Sequence, residues 1–204
     1  MKKLRYIISL SAVLIFVFVN PQINHAQLAD TLKTALVLVD IQDFYFPGGK
    51  GALVNPEHAS ANAALLLKKF RETGQTIVHV RHYAKQDADI HADVAPLDDE
   101  KVITKYHANS FLETDLLDFL QKNGISQLVI CGMMTHMCVE AIARASADLG
   151  FKCIVIEDAC ATKDLKYKDI IIPAEQVHYA TLCTIADAYG SVMDTKQFLE
   201  SFTF

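Results

Sequence analysis

Several short apolar runs each end at a residue able to do chemistry. Asp40 follows the run 35–39, His82 lies just past 76–80, Lys105 follows 101–104, and Gly132 follows 127–131 with Cys138 shortly after it. A carboxyl, an ammonium and a thiol make a set suited to nucleophilic acyl chemistry. The sulfur attacks a carbonyl carbon, the carboxyl moves a proton, and the cation favours negative charge. Taken singly, a polar residue just beyond a strand reads as a turn or cap residue. Their joint placement at successive strand ends is what points to a site.

The acid–base balance of this set sets a constraint. A reference carboxyl near 3.9 is a weak base toward a thiol near 8.5, a gap of about 4.6 units or roughly 6 kcal/mol. Asp40 cannot make that transfer unaided. Cys138 falls in the first turn of a predicted helix, where unpaired N–H groups and the helix dipole favour a thiolate. Lys105 and this helix terminus are expected to lower the cost of the thiolate, while desolvation raises Asp40, so that the three titrate as one coupled unit.

The elements that must hold these residues alternate along the chain. Strand-like runs occur at 35–39, 76–80, 101–104, 127–131 and 151–156, with a short one at 191–193, and those at 127–131 and 151–156 are nearly continuous in apolar character, as strands buried on both faces are. Amphipathic stretches at about 57–73, 113–123, 136–149 and 173–189 read as helices, closed in turn by Gly74, Gly124, Gly150 and Gly190. The pattern predicts an α/β fold: a single Rossmann-like three-layer domain, with a mainly parallel sheet of about six strands and helices on both faces. In such sheets ligands bind outside the carboxyl ends of the strands. Residues 84–98 lack periodicity and read as a long acidic loop of the kind that often serves a site.

Composition narrows the partners. The 204 residues include 19 Lys and Arg against 24 Asp and Glu, a net charge of −5 without any basic block, which disfavours nucleic acid and acidic membrane surfaces and fits a small-molecule partner. Lys2, Lys3 and Arg5 precede an apolar run over 6–19 that Asn20 and Pro21 end, the pattern of an export signal cleaved near Ala26. The run is shorter than the roughly 20 residues of a membrane span, so a retained anchor is the lesser reading. The expected organisation is a signal at 1–26 and one domain at 27–204, exported to a periplasmic or extracellular space and free of membrane after cleavage. Cys131, Cys138, Cys153, Cys160 and Cys183 show no CxxC spacing, so no zinc knuckle or redox pair is implied.

At this point the chain resembles the isochorismatase-like cysteine hydrolases, the family of nicotinamidase, N-carbamoylsarcosine amidase and ureidoacrylate amidohydrolase. The resemblance rests on Ala35-Leu-Val-Leu-Val-Asp40-Ile-Gln42 with Phe46-Pro47-Gly48-Gly49, on Val102-Ile-Thr-Lys105 with Ser110-Phe111, and on Cys131-Gly-Met-Met-Thr-His-Met-Cys138-Val-Glu140, in the family's order over most of 35–200. It implies an Asp40, Lys105, Cys138 triad, a cis peptide at Met133-Met134, and an oxyanion hole from the backbone N–H groups of Met134 and Cys138. It further implies cleavage of an amide, carbamoyl or ureido C–N bond through a thioester, in a homo-oligomer. Asp43 and Phe44 depart from the family's common Asn-Asp pair. Isochorismate itself is disfavoured, because enzymes that cleave that vinyl ether generally lack the cysteine. Nicotinamidase-type members hold a metal through an Asp-x-His pair after the second strand. Here that place is Arg81-His82-Tyr83-Ala84, the Asp89-Ile90-His91 spacing lies farther out, and no metal or other cofactor is expected.

Gln42, Phe44, Tyr45, His82 and His136 are the candidate substrate contacts, with a capping or packing role weighed for His136 and a core or interface role for the aromatic residues. His79, in mid-strand, reads as structural. Two other functions compete on the same fold, a non-catalytic small-molecule binder and a thiol redox protein. The intact Asp-Lys-Cys set argues against the first. The second lacks a cysteine within three residues of Cys138.

Overall fold

A computed structural model describes residues 32–85 and 89–202. The expected signal segment and its boundary with the domain lie outside the described residues. Six parallel strands form the main sheet: β1 (Thr34–Val39), β2 (Thr76–His82), β3 (Lys101–Lys105), β4 (Gln127–Met133), β5 (Lys152–Ala161) and β8 (Ser191–Met193), in the order β3-β2-β1-β4-β5-β8. Every residue of β1 and of β4 is buried, which accounts for the apolar runs that follow Thr34 and Gln127. α1 (Pro56–Glu72) links β1 to β2 toward one edge, and α3 (Glu140–Asp148) links β4 to β5 toward the other. Right-handed crossovers in opposite directions place these two helices on opposite faces, giving three layers. α5 (Thr195–Ser201) packs beside α1, and α4 (Ala174–Ala188) beside α3.

Several elements differ from the sequence pattern for local reasons. The helix expected from 113 begins only at Leu116, as α2 (Leu116–Lys122), because Glu113 sits at φ 57 and the Thr114 hydroxyl bonds back to the Ser110 carbonyl. The helix expected from 136 opens with a wide π turn over Thr135–Val139 before α3. β5 runs five residues past the expected end. An antiparallel hairpin, β6 (Leu165–Tyr167) and β7 (Ile170–Ile172), and the terminal α5 were not anticipated. α5 carries a readable signal, a capping box in which Asp194 and Gln197 bond each other's backbone. The loop after β2 is less open than its sequence suggests: Val94 is buried, the His91 N–H donates to the Ile41 carbonyl, and the His91 ring stacks on Phe46 at 3.6 Å.

One ionic network holds the entry to β3, and with it the strand that ends in Lys105. Glu100, 8% exposed at its side chain, accepts two bonds from Arg71 of α1 at 2.7 and 2.8 Å, one from the Leu97 N–H at 2.9 Å, and faces His79 Nε2 at 2.9 Å. The structural role expected for His79 is thus met. Arg71, the Leu97 N–H and His79 overcome the desolvation of Glu100 and hold its pKa near 2. A carboxyl depressed in the folded state contributes stability above its unfolded value of 4.5, and that contribution is lost as pH falls toward 2. Glu100→Gln is expected to cost about 2 kcal/mol at neutral pH. The difference from wild type in urea unfolding should close as the pH drops from 4.5 toward 2, and a gap that persists at pH 2 would assign the cost to packing instead.

Candidate active site

β1 and β4 are neighbours, and the chain departs from them in opposite directions, so the crevice outside their carboxyl ends is the switch point of the sheet. Asp40 leaves β1 there in a left-handed conformation, φ 51, with its N–H bonded to the Val80 carbonyl at 2.8 Å. Backbone of this kind is sparsely populated by non-glycine residues and persists where the surroundings fix it. β4 exits through Gly132 at φ 131, then the cis Met133-Met134 peptide, then the π turn that carries Cys138. The cis peptide is where the sequence resemblance puts it.

The three separated groups meet in one place. Lys105 Nζ lies 2.7 Å from Asp40 Oδ2 and 3.2 Å from Cys138 Sγ. Both charged side chains are wholly shielded from solvent, and Cys138 is 6% exposed. Lys105 also donates to the His107 carbonyl at 3.1 Å and approaches His82 Nδ1 at 3.4 Å. Neither oxygen of Asp40 takes a backbone N–H, so the ammonium is what balances its charge.

Burial dominates the protonation of this cluster. Desolvation raises Asp40 above the usual carboxylate range, against the lowering pull of Lys105. Desolvation, then the Asp40 charge, pushes the Cys138 thiol up to about 12, again against Lys105. Lys105 lowers the cost of the thiolate, as expected, but in the free protein the loss of water outweighs that pull. The carboxyl was expected to be raised, and is. Moving a proton from sulfur to Asp40 shifts one negative charge within a single buried cluster. Lys105 bridges both ends of that shift, so the burial penalty largely cancels between reactant and product.

The remaining candidates divide. Tyr45 is buried near the cluster, its phenol pushed up by desolvation and by Asp40 and Cys138. With Phe44, whose ring centroid lies 4.3 Å away, and with His82, it lines a cavity of about 760 Å³. Gln42 is placed differently: its Nε2 donates to the His82 carbonyl at 3.1 Å and its Oε1 accepts the His82 N–H at 2.8 Å. The Gln42 amide braces the end of β2 in place of the expected substrate contact. His136 Nδ1 pairs with Thr162 Oγ1 at 2.6 Å, tying the nucleophile turn to the end of β5, which is the packing role weighed for it. The sequence reading missed two groups at this site. Lys50 and Lys85 line the same cavity, and both sit in loops where no periodicity marks a direction. All five cysteines are free thiols.

A doubly wound α/β protein with a buried carboxyl, ammonium and thiol at its switch point is the class that this geometry defines. Residues 34–197 match the model of the Isochorismatase domain, and the chain belongs to the isochorismatase family of hydrolases. It is 46% identical over 180 residues to the uncharacterized isochorismatase family protein YddQ of Bacillus subtilis, covering 83% of this chain and 100% of that one. It is 34% identical to the secreted isochorismatase effector Isc1 of Verticillium dahliae, covering 82% and 91%. An isochorismatase crystal structure from Pseudomonas putida superposes with a TM-score of 0.78 at 35% identity, covering 81% and 89%. Two more distant relatives are named for an activity. They are a streptothricin hydrolase of Streptomyces noursei, 29% identical over 64% of this chain and 55% of its own, and the ureidoacrylate amidohydrolase RutB of Acinetobacter baylyi, 27% identical over 90% and 71%.

Proposed function

We propose that this chain hydrolyses a C–N bond of a small amide, carbamoyl or ureido compound through a thioester on Cys138. The observation that carries the reading is the single ammonium of Lys105 in hydrogen-bonding range of both Asp40 and Cys138. The amidohydrolase name borne by one relative supports the bond type.

As substrate enters, the Cys138 proton passes to Asp40 while sulfur bonds to the carbonyl carbon. The N–H groups of Met134, which caps the turn after β4, and of Cys138 within that turn receive the developing oxyanion. Protonated Asp40 then gives its proton to the leaving nitrogen, the C–N bond breaks, and ammonia or an amine departs. Water, deprotonated by Asp40, attacks the thioester, the C–S bond breaks, and the proton returns to sulfur. Lys105 keeps the net charge of the cluster favourable throughout. An ammonia-release screen over small primary amides and ureido acids, run on wild type and Cys138→Ala, tests this. Turnover should fall by about 10⁴ or more in the variant with its melting temperature within a few degrees of wild type. Full turnover by Cys138→Ala would remove the nucleophile.

The protein is further read as exported by its first 26 residues, a reading supported by the secreted relative. The mass of the protein recovered outside the cytoplasm should lack that segment. It is also read as a homo-oligomer without a resident metal. Tyr167, Ile170 and Ile171 on the β6–β7 hairpin, each more than 60% exposed, support a surface shared between copies, which light scattering would check.

A further inference from the structure

The cavity of about 760 Å³, whose lining residue His82 approaches Lys105 of the triad at 3.4 Å, has an uneven electrical character. Its lining includes the Phe44 and Tyr45 rings as an apolar wall and the nitrogen-bearing side chains of His82 and Lys85, with no acidic residue among the described lining. Asp43 and Asp89, on the adjoining turn, are exposed and do not line the cavity.

His82 is held in one form. An ammonium can only donate, so the 3.4 Å approach of Lys105 Nζ makes His82 Nδ1 the acceptor and leaves the ring proton on Nε2. Burial and the same ammonium keep the ring neutral. Gln42 clasps its backbone from both sides. Among the described residues Nε2 has no protein partner, and the residue lines the cavity. A fixed, uncommitted N–H donor beside a lysine is arranged for an anionic acceptor.

Resting on the hydrolase reading above, we propose that this cavity receives a carboxylate carried by the substrate, recognised by the Lys85 ammonium and the His82 Nε2–H. The substrate class is then an amide or ureide of an acid, with its reacting carbonyl toward Cys138 and its carboxylate toward the cavity mouth. A neutral amide lacking the carboxylate would leave both groups unanswered.

Two alkylating probes test this without a known substrate. Iodoacetate and iodoacetamide differ in a carboxylate against a neutral amide, and peptide mass spectrometry separates modification of Cys138 from that of exposed Cys183. On the full chain, the iodoacetate-to-iodoacetamide rate ratio at Cys138 should exceed that of N-acetylcysteine in the same buffer and should shrink at high salt. In Lys85→Gln the ratio should fall about threefold to fivefold. In Lys166→Gln, which removes the same charge from β6, outside the cavity lining, it should not move. His82→Phe should lower it as well, and Lys85→Gln, altering only an exposed side chain, carries the test if that variant fails to fold. A wild-type ratio at or below that of N-acetylcysteine, or one unchanged in Lys85→Gln, would overturn the carboxylate assignment and leave the hydrolase reading standing. A Cys138 that neither probe modifies, together with full ammonia release by Cys138→Ala, would remove both.

Discussion

Lys105→Met is expected to destabilise the protein by about 3–5 kcal/mol, while the double variant Asp40→Asn/Lys105→Met recovers most of that loss and none of the activity. The reason is the complete burial of the pair, Nζ 2.7 Å from Oδ2 with neither side chain reaching solvent. Removing the ammonium alone leaves a carboxyl with no backbone N–H on either oxygen and no counter-charge of comparable strength. Removing both charges leaves a neutral amide beside a thioether of similar bulk, for which the penalty disappears. The single variant should also show a pH signature. Without Lys105 the folded pKa of Asp40, already raised by burial, rises further. A group raised in the folded state favours folding at low pH and disfavours it as pH climbs through that raised value. Lys105→Met should therefore lie closer to wild type at pH 5 than at pH 8 in urea unfolding. Equal losses at both pH values would mean that the cost is packing rather than an orphaned carboxylate. Retained turnover in the double variant would mean that the chemistry does not run through this pair.

Why such a pair exists at all bears on how the site can be read from sequence. An Asp directly after β1 and a Lys ending β3 are visible as types and positions, because the apolar runs before them fix where each strand stops. That they meet follows from the strand order, since β2 lies between β1 and β3 and all three run parallel. The alternation of elements makes that arrangement legible. The protonation state was not legible. The first-turn position of Cys138 suggests a thiolate, but that argument applies to a helix end open to water. Here Thr135, Cys138 and Val139 of the turn are buried, and desolvation outweighs the groups that favour the thiolate. Side-chain direction was equally hidden. Gln42 and Tyr45 stand three residues apart in one short loop, yet one braces the backbone of β2 and the other faces the triad. No periodicity sets direction in a loop, and Lys50 and Lys85 escaped notice for the same reason. The hairpin β6–β7 lacks the Asn-Gly or Asp-Gly pair that marks tight turns, and its Lys168 takes the left-handed conformation instead.

Gly132→Ala should do more damage than any other single methyl group added to this protein's glycines with positive φ. At Gly150, φ 87, an added Cβ meets nothing within 4 Å, so Gly150→Ala carries only the conformational penalty of about 1 kcal/mol. At Gly132, φ 131, the same atom would overlap the Val39 carbonyl oxygen and stand 2.8 Å from its carbon. Those are backbone atoms of the neighbouring strand, paired in register with Gly132, and they cannot swing aside as a flexible side chain would. β1 and β4 would have to part at the step where one delivers Asp40 and the other turns toward Cys138. The expected cost exceeds about 4 kcal/mol, the range reserved for a clash in a core that cannot relax. If the variant folds at all, the strands part where the triad assembles, so the distance from Lys105 to Cys138 should lengthen. Its alkylation by iodoacetamide at Cys138 should then change while that at Cys183 does not. A Gly132→Ala protein that unfolds within about 1 kcal/mol of Gly150→Ala would show that the strand ends yield easily. The close approach of β1 and β4 would then not be what holds the carboxyl and the thiol together.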